Sequence, residues 1–260
     1  MTHRAVVEAV RAAAHRSASD GGGLVVSVAF YVVIVGTLSG LWRVAVDANG
    51  GDLAGYSAVA LTWYIITSEA AIVSVNARHI EDIGTDIAHG TVAVEMLRPA
   101  SVLGIRMATE VGRGLPKVVV LWGAGAVVAT VVAGAPPRPA ALLLAAPSLV
   151  LAITANLFAQ HTVAAIAFWI RDAGSVWFLY LKAVFITGGM IIPMELLPDG
   201  LQTASLFMPF RAMAYVPARL AAGYWEPALL LEQVFWIAVL AVVANAAFGA
   251  GERRLQVVGG

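Results

Sequence analysis

The chain has no cysteine, only two lysines (Lys117 and Lys182), and few charges of either sign, with Asp, Glu, Lys and Arg making up 12% of 260 residues. Without cysteine there are no disulfides, no thiol nucleophiles and no thiolate-held metals. The formal net charge is zero, so neither a basic surface for nucleic acid nor an acidic solvated tail is present. The phosphate-cradling pattern GxxxxGK[ST] is missing, and no Gly-Lys pair occurs anywhere. ATP hydrolysis by that route is therefore excluded for this chain. HExxH, GxSxG and an EF-hand loop are also missing, and the histidines (His3, His15, His79, His89, His161) stand without partners at metal-ligand spacing. No catalytic residue, metal site or cofactor is expected on this chain.

What the chain has instead is apolar surface, 60% of its residues being hydrophobic with a mean hydropathy of +0.84. A soluble domain of this length cannot enclose that much, so an all-α integral membrane protein is expected. A crossing takes about 20 apolar residues. Six segments qualify: residues 24–42, 53–75, 105–132, 140–170, 176–192 and 228–250. Residues 193–227 are too apolar for a plain loop, and Pro193, Pro198, Pro209 and Pro217 break them too often for a seventh span. Short re-entrant or interfacial helices are the expectation there.

Arginine and lysine placement sets orientation. With the N-terminus inside, Arg4, Arg11, Arg16, Arg78, Arg98, Arg106, Arg171, Arg253 and Arg254 face the cytoplasm, while Arg43, Arg138, Arg211 and Arg219 face outward. Both termini are thus expected to be cytoplasmic. The apolar run beginning at Leu24 lacks a convincing small-residue cleavage site and reads as a retained span. The dominance of arginine over lysine, with abundant Ala, Val and Gly, fits a GC-rich bacterial genome.

Two segments outside the spans read as amphipathic helices. Over residues 1–19, Val6, Val7, Val10 and Ala14 recur at helical spacing, with Arg4, Glu8, Arg11 and His15 opposite. This predicts a helix in the membrane interface, broken by Asp20 and Gly21 to Gly23 before the first span. Over residues 77–99, Ile80, Ile83 and Ile87 share one face, and Glu81, Asp82 and Asp86 lie on the others. Glu95 and Arg98 follow, and Pro99 closes the segment. Periodicity alone leaves a solvated loop with a membrane-facing edge as an equal reading of this interval.

The order of these parts resembles the permease subunits of bacterial ATP-binding-cassette exporters of the type-two superfamily, in particular a small six-span branch. The likeness rests on IEDIGTDI (Ile80 to Ile87), MLRP (Met96 to Pro99), and Gly188, Gly189, Pro193, Leu197, Pro198, Pro209 and Phe210. Met96 stands where the pattern has a second leucine, a change that packing tolerates. The resemblance implies a single permease domain over residues 1–260 that forms a translocation path with a second copy, identical or a similar sister subunit. It implies a cytoplasmic nucleotide-binding ATPase subunit carrying ATP and Mg, docked on residues 77–99 through Ile80, Glu81, Asp82, Ile83, Asp86, Ile87 and Arg98. The N-terminal helix, with Arg4, Val6, Val7, Val10 and Arg11, would touch the same subunit. Residues 193–227 would form the outer gate, in a bacterial inner-membrane protein.

Polar groups inside spans are costly and worth individual notice. Glu69, Asn156 and Gln160 are candidates for the path, and Pro193, Glu195, Pro198 and Asp199 for the gate. Glu110, Arg113 and Lys117 share one face and should pair; Asn156 and Gln160 should bond a neighbouring helix. No dense relay of buried carboxylates appears. A proton-driven secondary transporter or a channel acting alone, and a non-transporting assembly subunit, are the rival readings; an intramembrane enzyme would need a catalytic cluster that is not there.

Overall fold

The computed structural model describes residues 3–76, 78–97, 101–170 and 174–258. Eleven α-helices run through them with no strand among the described residues: α1 His3–Ser19, α2 Gly21–Ala48, α3 Ala58–Val73, α4 His79–Ala88, α5 Thr91–Glu95, α6 Val102–Val132, α7 Leu142–Ala164, α8 Gly174–Thr187, α9 Asp199–Leu206, α10 Tyr215–Ala221 and α11 Ala228–Val258. Side-chain oxygens open several of them. Asp20 accepts from Gly23 N at 3.0 Å, Ser57 from Ala60 N at 3.2 Å and Ser101 from Gly104 N at 3.2 Å. Each cap satisfies a donor that has no partner within its own helix.

Four helical segments are long and apolar enough to cross a membrane: Gly21–Ala48, Val102–Val132, Pro139–Phe168 and Ala228–Arg254. The second and fifth expected spans are shorter, as Ala58–Val73 and Ser175–Thr187. At about 1.5 Å per residue these reach roughly 24 and 20 Å, less than the ~30 Å hydrocarbon layer. The reason is local. Residues 53–56 fold into a tight turn closed by Leu53 and Tyr56, and α8 is stopped by Gly188 and Gly189, the latter at φ +65°.

Burial ranks the helices. From Ala60 to Ala71 every residue of α3 is buried, and half of the most apolar window of Pro139–Phe168 is, whereas for α2 only 17% is. So α3 and α7 form the centre. Large apolar side chains such as Val26, Phe30 and Val33 on α2, Val119 and Val127 on α6, and Leu231 and Val242 on α11 stand exposed. Apolar outside as well as inside is the signature of a protein solvated by lipid.

Short 3-10 turns (Met194–Leu196, Pro209–Ala212) with α9 and α10 make up the proline-broken stretch, as its composition foretold. Apart from the half-buried Arg219, α10 is buried throughout between α3 and α7. Side chains of α3 hold the neighbouring Gly-rich end of α8: Tyr64 donates to the Gly189 carbonyl and Ser68 to that of Met190 at 2.8 Å.

The N-terminal helix departs from expectation in its setting. It is docked lengthwise on α6, where Gly112 leaves no room for a methyl beneath the Val10 carbonyl and Ala13 is wholly buried. Ser17 Oγ donates to the Arg113 carbonyl at 2.9 Å. Of the apolar stripe, Val6 and Val10 are half-buried while Val7 is 49% exposed. The helix therefore uses one edge of that stripe for the protein and leaves the other for its surroundings. Arg11 is exposed; the Arg4 side chain lies outside the described residues.

Candidate functional site: the α4–α5 platform, the membrane cavity and the α10 hub

Three regions carry the chemistry. The first is the platform made by α4 and α5. Ile80, Ile83 and Ile87 are buried at 0%, 1% and 5% exposure against α7, α8 and the 3-10 turn Ala165–Phe168. They were expected to lie in a partner's groove; the structure seats them inside this chain, because that face of α4 meets the ends of two neighbouring helices. What remains for a partner is the edge with Asp82, Thr85, Ala88 and His89, all exposed. Arg106 locks the platform from α6, reaching Asp86 at 2.7 Å and gripping Glu95 with two bonds of 2.8 and 3.1 Å. Glu81 pairs with Arg78 at 3.3 Å and Asp82 accepts from Asn76 Nδ2 at 2.7 Å. The crowding of acids in this interval thus has a largely internal explanation. Arg98, expected to share in docking, lies outside the described residues.

Behind the platform, His79 packs edge-on against His161 of α7, ring centroids 4.6 Å apart. Both are buried, and neither Nε2 has a partner among the described residues. Burial, with His161, Arg106 and Arg113 acting in the same direction, pushes the His79 imidazole down to about 3. The fold holds this ring neutral while the unfolded chain protonates it near 6.5. Its contribution is intact above pH 6.5 and is lost as pH falls toward 3. Between pH 7 and pH 5 the loss should be about 2 kcal/mol, read as a falling thermal midpoint of the solubilised protein. His79→Phe, which keeps a ring in place, should flatten the profile by that amount; an equally steep profile would contradict the assignment.

The second region is a cavity of about 960 Å³ between α2, α3, α6, α7 and α8. Its mouth, at the α4 end, carries Arg16, Arg78 and Arg113, and Glu69, Asn156 and Gln160 line it further in. The structure thus brings the three sequence-chosen path residues into one space. Glu110 and Arg113 pair at 2.5 Å, as their spacing indicated, and Lys117 lies outside that pair. Gln160 Nε2 donates to Asn156 Oδ1 at 3.0 Å, and Tyr180 of α8 donates to the same oxygen at 2.6 Å. So Asn156 does bond a neighbouring helix, whereas Gln160 bonds Asn156.

The third region, at the opposite end, gathers partners around Glu195 that sequence reasoning missed. Glu195, chosen as a gate residue, accepts from Tyr215 OH at 2.7 Å and Tyr56 OH at 3.2 Å and pairs with Arg219. Arg219 also donates to Tyr56 OH at 2.9 Å, forks onto Glu226 at 2.8 to 3.1 Å, and stacks 3.9 Å from the Tyr224 ring centre. Tyr56 OH thus stands between the two, donating to Glu195 and accepting from Arg219. Pro193 is buried nearby, while Pro198 and Asp199 are exposed at the start of α9. Arg219 and Arg106 both entered the sequence reading only as orientation charges. Their partners lie 7 to 163 and 11 to 20 residues away, beyond any spacing rule.

Among the described residues no group of three or more His, Asp or Glu could hold a metal. An all-helical, lipid-facing body with a membrane cavity and a rigid platform at one end defines a multi-pass membrane transport protein. Residues 31–259 match the family model described as ABC-2 family transporter protein, and the chain belongs to that family. It is a non-catalytic permease of an ABC transporter, a class that works in the membrane with an ATP-binding subunit. No curated protein matches the chain.

Proposed function

We propose that this chain is one of two permease subunits of a bacterial inner-membrane exporter, driven by a separate cytoplasmic ATPase that carries ATP and Mg. In this reading α2, α3, α6, α7, α8 and α11 make six passes, the two short ones completed by the turns beside them. Both termini and the α4–α5 platform face the cytoplasm. The second permease is an identical copy or a sister subunit, and the path runs through the cavity holding Glu69, Asn156 and Gln160 toward a gate around Glu195, Pro193, Pro198 and Asp199.

One observation carries the reading. The platform is a short helix pair bolted to the ends of α6, α7 and α8 by Arg106 and the three isoleucines, yet its Asp82 to His89 edge is exposed and polar. A load applied there moves three membrane helices together, which is what coupling to a motor requires. The isoleucines act as the seat, and Asp82, Thr85 and His89 face the ATPase.

The test is co-purification of ATPase activity with the tagged chain from its native membrane, comparing wild type with Thr85→Arg and Asp82→Lys. These surface changes leave the seat intact, where a buried charge at Ile83 would unfold it. Activity in the wild-type eluate that falls at least tenfold in either variant, with unchanged thermal stability, is the expected result. A chain that purifies without ATPase and still transports would put the solitary transporter or channel in its place.

A further inference from the structure

The cavity contains a carboxyl with no counter-ion. Glu69 is 2% exposed, and among the described residues its carboxyl makes no ion pair with any cation. A desolvated carboxyl in a space otherwise walled by side chains such as Phe30, Trp177 and Phe185 calls for a donor from outside the chain.

The cations bordering the cavity lie nearer its mouth. Arg113 and Arg78 are paired with Glu110 and Glu81, and Arg16 adjoins Ser17, whose hydroxyl reaches the Arg113 carbonyl. The antiparallel register of α3 and α6 places Thr67 beside Trp122 and Ser74 beside Gly114. Glu69 thus lies deeper than Lys117 by about a turn or less and deeper than Arg113 by roughly 10 Å, at 1.5 Å per residue. The two walls beyond are α2, packed on α3 and α6, and α8, packed on α7.

We propose that this cavity takes an amphiphilic amine, its ammonium donating to Glu69 and its apolar body lying between α2 and α8. Charge complementarity selects the cationic end: a carboxyl desolvated without a counter-ion is costly, and an ammonium with N–H donors removes that cost. Aromatic side chains add cation–π attraction around it. An anionic lipid would instead put its charge at the mouth and leave the Glu69 carboxyl unmet. The proposal rests on the reading of this chain as a permease and names the chemical class of its cargo.

The full chain in nanodiscs, titrated with a dansyl-labelled undecyl ammonium probe and its carboxylate counterpart, tests it by energy transfer from tryptophan. Trp177 lines the cavity, and protein-free discs correct for partition. The ammonium probe should saturate at about tenfold lower concentration than the carboxylate. Glu69→Gln, nearly isosteric, should bring the two within twofold. A preference for the carboxylate, or a tenfold preference for the amine that survives Glu69→Gln in a monodisperse variant, overturns the proposal. Failure of the permease reading would appear separately, as loss of ATPase co-purification with amine binding intact.

Discussion

Replacing Arg219 by leucine is expected to cost about 3 kcal/mol, the lower end of what removing one member of a buried charge pair costs. The magnitude follows from what is left behind. With its side chain only 16% exposed, Arg219 is the one cation among the described residues that pairs with Glu195 and Glu226, and it also donates to Tyr56 OH. Its loss would leave two carboxylates facing each other across phenol groups. For a chain of this size that corresponds to a fall of roughly 9 °C in the thermal midpoint. Arg219→Lys should recover only part of it, since an ammonium cannot fork onto Glu226 while reaching Glu195 and stacking on Tyr224. The double variant Arg219→Leu with Glu195→Leu should be more stable than Arg219→Leu alone, because the stranded charge goes too. If the single and double variants melt together, the hub is not a coupled unit. The hub joins the 53–56 turn, the turn Met194–Leu196, α10 and Glu226, so its loss should also loosen the packing at that end.

Arg106→Leu should have a comparable effect at the other end, but a local one. Asp86 and Glu95 come from α4 and α5, and among the described residues Arg106, itself 14% exposed, is the cation that ties them together. Bidentate guanidinium–carboxylate bonds are among the stronger polar contacts a protein makes. Losing them should release about 3 kcal/mol of local protection, about a hundredfold faster amide exchange over residues 79–97. Exchange in α3 should stay within a few-fold of wild type, since α3 is buried among other helices. Co-purifying ATPase activity should fall with the platform. Equal acceleration everywhere would mean that the pair stabilises the whole molecule, and no change would mean that the isoleucine seat suffices.

The parts legible in the sequence are those set by local pattern. Hydropathy located the long apolar helices, four of them long enough to cross a membrane, and Asp20 with the glycines after it marked the break between α1 and α2. The isoleucine period located α4. It could not say what the isoleucines touch, because a buried stripe has the same period whether its partner is another protein or the chain's own α7 and α8. The same ambiguity hid the docking of α1, where Gly112 and Ala13 carry the contact and neither stands out in a hydrophobic stripe. Span length was overestimated at α3 and α8, since the apolar residues flanking them are used in a tight turn and in a Gly-rich end rather than in helix. The cavity residues Glu69, Asn156 and Gln160 were visible as polar letters in apolar runs. Arg106 and Arg219 were not, since a charge partner far away in sequence leaves no periodic trace.

The docking of α1 on α6 also orders events during synthesis. Ser17 and the Arg113 carbonyl that it bonds are 96 residues apart, and a ribosome adds about 5 to 20 residues per second. For several seconds after α1 emerges, the helix it will lie against does not exist. In that interval its Val7 and Val10 edge has only lipid or a chaperone to cover it, so α1 needs a temporary cover before it becomes part of the fold. Val7, still 49% exposed in the finished molecule, keeps the trace of that first state, and the Gly112 seat serves the second.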